Sequence, residues 1–158
     1  MFVTVEGIDG SGKSTLARAL AVRLGEHFGR ERIVLTREPT DQSSWGQRLR
    51  QSEREGRLSR DEEIEHFHLD RLHHLESVVK PTLAAGKIVV CDRYVDSMLA
   101  YQARDAPDAD RLYARVSKDI LVPDLVLLLE LPVPVAMERI GAERAGVTSF
   151  ERDRKSVV

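Results

Sequence analysis

The stretch Gly7-Ile8-Asp9-Gly10-Ser11-Gly12-Lys13-Ser14 decides the fold. It follows residues 2–6, which favour a strand, and it leads into residues 15–20, where the apolar residues take up helical spacing. A strand before and a helix after are the context in which the pattern G-x-x-x-x-G-K-[S/T] counts as a phosphate-binding loop. The sequence therefore predicts an anion-binding turn, the phosphate-binding loop (residues 7–14), between the first strand and the first helix.

The residue types of this loop suit the phosphates of a nucleotide. Its glycines permit a backbone whose successive N–H groups point at phosphate oxygens. Lys13 can reach the β- and γ-phosphates, and the Ser14 hydroxyl can ligate Mg²⁺. A glycine-rich turn that matches by chance is disfavoured, because every fixed position is filled and both flanking elements fit. The predicted phosphate-binding residues are Gly7, Asp9, Gly10, Ser11, Gly12, Lys13, Ser14 and Thr15.

The composition restricts the class of protein. A chain of 158 residues suits one domain (1–158), and 42% apolar with 32% charged residues excludes wholesale disorder. The net charge of −2 does not indicate a nucleic-acid partner. The single cysteine, Cys91, excludes a disulfide within the chain, and no apolar run has membrane-spanning length. We therefore expect a cytoplasmic protein with no membrane and no nucleic-acid partner.

The rest of the chain alternates between strand and helix patterns. Further strands are predicted at residues 33–36, 87–92 and 125–131, and helices at about 46–50, 61–83, 94–104, 108–121 and from 134 onward. The charged segment 53–63 is interpreted as a solvated face, and Pro81 is expected to bend or break its helix. The near-unbroken apolarity of 125–131 indicates a strand covered on both faces. This order predicts an α/β fold of three layers, with helices on both faces of a parallel sheet.

Other residues allow other chemistry. Asp92 ends a predicted strand, where it could hold Mg²⁺ beside the loop, cap the next helix, or do both. Histidines crowd residues 66–74 but lack an H-x-x-x-H spacing, so a solvated helix face is favoured over a metal site. A GTPase switch protein is disfavoured, because its N-K-x-D element needs asparagine and the chain has none. A nucleotide-binding regulatory module without catalysis is a second alternative.

Several stretches together resemble the thymidylate kinase family. They are residues 2–15, residues 37–40, Phe67-His68-Leu69-Asp70-Arg71 with His74, and Asp92-Arg93-Tyr94-Val95-Asp96-Ser97 with Ala100-Tyr101-Gln102. The D-R-Y and A-Y-Q elements in this order are much more specific than the loop alone, and the likeness spans nearly the whole chain. The resemblance implies transfer of the γ-phosphoryl group of ATP to dTMP, giving dTDP, with Mg²⁺ and without a covalent enzyme intermediate. It also implies a homodimer, and a kinase for another nucleoside monophosphate is the alternative.

The resemblance further implies roles for single residues. ATP would be held by the phosphate-binding loop with Thr15, the metal by Ser14 and Asp92, and the phosphoryl groups by Lys13 and Arg93. The dTMP pocket would be formed by Asp9, Glu38, Arg50, Phe67, Arg71, Arg93, Ser97, Tyr101 and Gln102.

Within this pocket, Phe67 would stack on thymine, and Arg71 and Gln102 would meet the edge of the base. Ser97 would line the pocket nearby, Tyr101 would crowd the 2′ position of the sugar, Asp9 would contact the 3′-hydroxyl, and Arg50 would contact the monophosphate. Each role has a structural alternative: Phe67 could belong to the core, Arg71 could only pair with a carboxylate, and Tyr101 could only pack.

The family's lid corresponds to about residues 139–153. Its arginines usually stand shortly before a Phe-Glu element, whereas here Thr148-Ser149 directly precede Phe150-Glu151. Because the loop lacks the basic residue that some family members carry there, the catalytic arginine would have to come from the lid. Arg139 and Arg144 are the candidates, and Arg144 is the predicted catalytic residue. The resemblance implies a sheet of order 2-3-1-4-5 whose fifth strand is missing here. We therefore expect an incomplete C-terminal end, and a functional polypeptide that continues beyond Val158.

Overall fold

The computed structural model describes residues 1–143, and a parallel sheet lies at the centre of this part of the chain. Its strands are β1 (Phe2–Gly7), β2 (Ile33–Arg37), β3 (Ile88–Asp92) and β4 (Leu125–Leu129). They are arranged in the order β2-β3-β1-β4, and each neighbouring pair is parallel. This confirms the α/β fold and the expected order of the first four strands.

The helices of the described residues follow the predicted pattern with shifted ends. They are α1 (Lys13–Phe28), α2 (Ser44–Glu55), α3 (Arg60–His74), α4 (Lys80–Ala84), α5 (Val95–Gln102), α6 (Ala106–Val116) and α7 (Val133–Glu143). Ser43 caps α2 by accepting a hydrogen bond from the Gly46 N–H, so this helix begins earlier than expected. The helix predicted to end at residue 121 ends at Val116. None of the helices within residues 1–143 is both long and apolar enough to cross a membrane.

Pro81 changes the helical geometry without ending the helix. After α3, the backbone forms a π-helical turn (Leu75–Val79) and then enters α4, which contains Pro81 in its first turn. Proline has no N–H to donate to the carbonyl of Ser77, and a wider turn just before it accommodates that loss. The expected bend or break is therefore a local π-helical turn.

Helices cover both faces of the central strands. On one face, Phe2 and Val89 of the sheet pack with residues of α3, α5 and α6, including Ile64, Met98 and Leu112. On the other face, residues of α1 pack against β1 and β3. This confirms the three layers predicted from the alternation of strands and helices.

Strand β4 is not covered in the way that its apolar sequence predicts. Leu125 is 48% exposed and Leu128 is 63% exposed. Within residues 1–143, β4 pairs with β1 alone and forms one edge of the sheet. The prediction of burial on both faces is therefore wrong for the described part of the chain, because Leu127 and Leu129 pack against the core while Val126 and Leu128 remain exposed.

The carboxyl ends of the strands position the candidate site. Because the sheet is parallel, the segments that follow β1, β2 and β3 all emerge at the same edge. These segments are the phosphate-binding loop, the turn that begins at Glu38, and the turn at Arg93. Ligands of open α/β sheets bind at this edge.

Candidate active site

The phosphate-binding loop has the backbone that its glycines predict. Gly10 (φ 76°) and Gly12 (φ 93°) are both in the left-handed region, which side chains disfavour. A Cβ at Gly10 would also lie 2.6 Å from the carbonyl oxygen of Ala136. Gly12 precedes α1 and has no side chain to accept hydrogen bonds from the first N–H groups of that helix. Those N–H groups are therefore oriented to bind an anion.

Lys13 is buried beneath the loop. Its Nζ donates a hydrogen bond of 2.6 Å to the Ile8 carbonyl and lies 4.0 Å from Asp9. Burial, and to a lesser extent the nearby Arg93 guanidinium, lower the pKa of Lys13 to about 8. A bound phosphate would supply the negative charge that this buried ammonium needs.

Ser14 and Asp92 lie together at the start of α1. The Ser14 hydroxyl donates a hydrogen bond of 2.5 Å to Oδ2 of Asp92. The other oxygen, Oδ1, is buried and has no hydrogen-bond partner among residues 1–143. A hydroxyl and a carboxylate with a spare oxygen fit Mg²⁺. Residues 1–143 contain no cluster of three metal-ligating His, Cys, Asp or Glu side chains, so the further ligands would be substrate phosphates and water. Asp92 does not cap α5, whose N-cap residue is Tyr94.

Arg93 connects the turn after β3 to the loop after β1. Its guanidinium donates hydrogen bonds to the Asp9 carboxylate and, over 3.1 Å, to the Ser97 hydroxyl. The same group lies 5.2 Å from the centre of the Tyr101 ring, and the Tyr101 hydroxyl donates to Asp9 over 2.7 Å. The structure thus brings together Asp9, Arg93, Ser97 and Tyr101, four of the residues that the resemblance assigns to the dTMP pocket.

Glu6 supports this cluster, although the sequence did not indicate it as a site residue. It is buried at the end of β1, where it accepts hydrogen bonds from the Tyr94 N–H (2.7 Å) and the Ser97 hydroxyl (2.5 Å). Burial raises the pKa of Glu6 above its usual range. A lone carboxylate within the strand-forming run 2–6 was the available signal, because a charged residue there needs partners.

Arg71 is held by a buried network that begins on β2. Its Nε donates to Glu38 over 2.9 Å, and its guanidinium lies 5.1 Å from the centre of the Tyr94 ring. His74 Nδ1 lies 3.0 Å from the second oxygen of Glu38, and His74 Nε2 lies 2.8 Å from the hydroxyl of Thr36. His74 is 0% exposed, so the interpretation of the histidine segment as a solvated face is wrong at this position.

Asp70 and Arg50 hold the turn after β2. The Asp70 carboxylate accepts from the N–H (2.8 Å) and the hydroxyl (2.6 Å) of Thr40, and also from the Ser43 hydroxyl. Arg50 donates to the Pro39 carbonyl and pairs with Asp41 at 2.6 Å. Arg50 is on α2, and these two contacts join that helix to the turn after β2.

Phe67 and Gln102 lie on facing surfaces of α3 and α5. Phe67 is partly buried and packs against the core that contains Met98. Gln102 is 3% exposed, and its amide nitrogen donates to Glu63 over 3.2 Å. Glu63 is itself 1% exposed. The interpretation of segment 53–63 as a solvated face is therefore wrong for Glu63, because Gln102 and Arg57 provide its hydrogen bonds.

Comparison with known proteins identifies the family. The sequence model of thymidylate kinase matches residues 5–157. The chain belongs to the thymidylate kinase family. The thymidylate kinase of Xanthomonas campestris pv. campestris (strain B100) is 45% identical over 152 residues, which cover 96% of this chain and 65% of the relative. The chain thus spans slightly less than two thirds of the length of that relative.

Two other thymidylate kinases agree with this result. That of Xylella fastidiosa (strain 9a5c) is 40% identical over 151 residues, covering 96% of this chain and 71% of the relative. The crystal structure of the enzyme from Ehrlichia chaffeensis matches with a TM-score of 0.71 and 35% identity, over 89% of this chain and 76% of that one. The resemblance inferred from sequence motifs is therefore confirmed at the level of family and fold.

Most residues that the family resemblance singled out lie along the carboxyl edge of the sheet or between α3 and α5. Residues 139–143 of the predicted lid form the end of α7, whereas residues 144–153, with Arg144, lie outside the described residues. Arg139 lies inside them, and its guanidinium donates a 3.4 Å hydrogen bond to the Gly10 carbonyl of the loop.

Proposed function

We propose that this member of the thymidylate kinase family transfers the γ-phosphoryl group of ATP to dTMP, giving dTDP. The contact between Arg93 and Asp9 carries the proposal, because it joins the phosphate-binding loop to a second pocket. Two phosphorylated substrates that meet there repel each other, and Arg93 is a cation fixed at the boundary. A preorganised cation at this position would stabilise the charge of the transferred group.

The donor nucleotide would bind at the loop. Its phosphates would accept hydrogen bonds from the N–H groups before and within α1, and Lys13 would exchange the Ile8 carbonyl for phosphate oxygens. Ser14 and Asp92 would hold Mg²⁺, and the unpartnered oxygen of Asp92 supports this assignment. The metal, when bound, would neutralise charge on the β- and γ-phosphate oxygens.

The base of the acceptor would lie between α3 and α5. Arg71 and Gln102 are buried polar side chains, and Phe67 is the partly exposed aromatic residue on the same face of α3. Stacking on Phe67 and hydrogen bonds from the two polar side chains would orient a pyrimidine ring. Glu38 would keep the Arg71 guanidinium in place.

The sugar and phosphate of the acceptor would lie closer to the loop. Asp9 would contact the 3′-hydroxyl, and Tyr101 would occupy the space that a 2′-hydroxyl needs, so that deoxyribonucleotides are favoured. Ser97 orients Arg93 by accepting a hydrogen bond from it, and Arg50 would reach the monophosphate from α2. Glu6 would keep Ser97 in this orientation.

Family membership extends the proposal to parts that the described residues do not include. Arg144 would supply a second cation from the lid at 139–153, and the polypeptide would act as a homodimer in the cytoplasm. Light scattering of the purified protein tests the dimer, because a monomer at micromolar concentration would contradict it.

The activity is tested by measuring ADP formation with ATP, Mg²⁺ and a panel of dTMP, dUMP, dCMP, dGMP and UMP. We expect the highest kcat/KM with dTMP, and a loss of at least about 100-fold in kcat for Lys13→Ala with unchanged circular dichroism. Equal rates with a purine monophosphate would contradict the assigned acceptor. ATP binding without ADP formation for any member of the panel would favour a non-catalytic nucleotide-binding module.

A further inference from the structure

Glu63 holds the Gln102 amide in one orientation. The amide nitrogen of Gln102 lies 3.2 Å from Oε2 of Glu63. A carboxylate only accepts hydrogen bonds, so the NH₂ group must face Glu63 and the amide oxygen must face away. That oxygen is buried and has no hydrogen-bond partner within residues 1–143. Gln102 therefore presents an unsatisfied acceptor.

Glu63 is itself firmly held. It is 1% exposed, and Arg57 donates to both of its oxygens, from Nε over 2.7 Å and from Nη2 over 3.1 Å. Such a two-point contact fixes the orientation of the carboxylate. The orientation of the Gln102 amide is thus set by residues on the side opposite its free oxygen.

The facing surfaces of α3 and α5 also carry a group that can only donate hydrogen bonds, the guanidinium of Arg71. Glu63, Phe67 and Arg71 recur every four residues on α3, and Tyr94, Met98 and Gln102 do so at α5, so each trio shares a face. Glu63 contacts Gln102 at one end of this pairing, and Arg71 contacts Met98 over 3.6 Å at the other. Phe67 stands one helical turn from each end. The pairing therefore joins an acceptor, an aromatic ring and a guanidinium, which can only donate.

We propose that Glu63 is a positioning residue which, through Gln102, makes the site select a pyrimidine with an N3–H and a 4-keto oxygen and reject cytosine. This inference rests on the proposed function. In thymine or uracil, N3–H would donate to the Gln102 oxygen and O4 would accept from Arg71. Cytosine has an acceptor at N3 and a donor at N4. Its N3 would therefore face the acceptor oxygen of Gln102, and its N4 amino group would face the donor Arg71.

The test is the variant Glu63→Gln, with the exposed Glu65→Gln on the same helix as the matched control. A glutamine at 63 can either donate or accept, so the Gln102 amide could turn over. We expect the ratio of kcat/KM for dTMP to that for dCMP to fall by at least about tenfold, with KM for ATP within about twofold. Glu65→Gln should retain the wild-type ratio. A general folding defect would lower kcat/KM for both substrates together, so circular dichroism must show that Glu63→Gln is folded. A folded Glu63→Gln protein with the wild-type ratio would overturn the proposal.

Arg57→Ala is the second variant, because it leaves position 63 intact and Arg57 is only partly buried. Glu63 then loses the contact that fixes it, and the ratio should fall in the same direction. A folded Arg57→Ala or Glu63→Gln protein with the wild-type ratio overturns the proposal.

Calorimetric binding of dTMP and dCMP without ATP separates the role of Glu63 from the proposed kinase activity. If the wild type binds dTMP selectively but turns over no monophosphate, the kinase activity fails, and the variants still decide the role of Glu63.

Discussion

The guanidinium of Arg93 is hydrogen-bonded to the carboxylate of Asp9, so the residue that follows β3 is tied directly to the phosphate-binding loop. The two residues are 84 positions apart in the sequence. Tyr101 donates to the second oxygen of Asp9 and lies against the guanidinium. Because side chains from the loop (Asp9) and from α5 (Ser97 and Tyr101) hold this cation, it needs no reorganisation when phosphoryl groups arrive.

We predict that Arg93→Lys lowers kcat by at least about 100-fold while the protein remains folded. A lysine keeps the positive charge but cannot reach Asp9, Ser97 and the Tyr101 ring at once. The measurement is ADP formation with saturating ATP and dTMP, alongside circular dichroism. Arg111→Lys, at a largely exposed position on α6, is the control and should match the wild type. A turnover of Arg93→Lys within threefold of the wild type would remove Arg93 from the reaction.

Asp92 gives a prediction about Mg²⁺. Asp92→Asn removes the charge of the carboxylate that has a free oxygen beside Ser14, so the Mg²⁺ concentration for half-maximal activity should rise by at least about tenfold. Mn²⁺ binding in the presence of ATP, followed by electron paramagnetic resonance, should weaken in parallel. The exposed Asp110→Asn serves as control. An unaltered metal requirement in Asp92→Asn would exclude this residue as a ligand.

His74 is predicted to stabilise the fold. It is fully buried, and it bonds to Glu38 and Thr36, which come from β2 and the turn after it. His74→Ala would leave a cavity and two polar groups short of a partner, so we expect a loss of about 2–4 kcal/mol in the free energy of unfolding. Urea denaturation measures this loss. His66→Ala, whose ring bonds only to its own helix among the described contacts, should change it by less than about 0.5 kcal/mol. Equal effects of the two variants would show that the buried network contributes little.

The loop and the strand order could be predicted because their signals are local. The phosphate-binding pattern lies within eight consecutive residues, and the alternation of strands and helices restricts the sheet to few topologies. The family motifs then placed Arg93 and Tyr101 in one pocket, and the structure brings these two residues together.

The buried polar contacts could not be predicted in the same way. Glu63 lies in a charged segment, and periodicity alone predicts that such a segment is exposed to solvent. Its burial depends on Arg57, six residues away, and on Gln102, 39 residues away on another helix. His74 likewise needs Thr36 and Glu38, more than 30 residues earlier. Whether a charge is buried is decided by partners that only the fold brings close.

The last prediction concerns pH, through Lys13. Its pKa of about 8 lies below the ordinary 10.5, so the folded protein binds this proton less tightly than the unfolded chain does. The charged form therefore costs stability, fully below pH 8, and the cost disappears as pH rises from about 8 to 10.5. ATP reverses this preference, because its phosphates favour the ammonium. Above pH 8, nucleotide binding must then return a proton to Lys13.

We expect ATP binding to take up about half a proton at pH 8, and the affinity to fall by up to about tenfold per pH unit above it. Isothermal titration calorimetry at pH 7, 8 and 9, in two buffers of different ionisation enthalpy, gives both quantities. Lys13→Arg is the matched control, since a guanidinium stays charged throughout this range and should show neither the uptake nor the pH dependence. A dissociation constant that stays the same from pH 7 to 9 in the wild type would mean that Lys13 is already charged in the free protein. A pH dependence that persists in Lys13→Arg would assign the titration to another group.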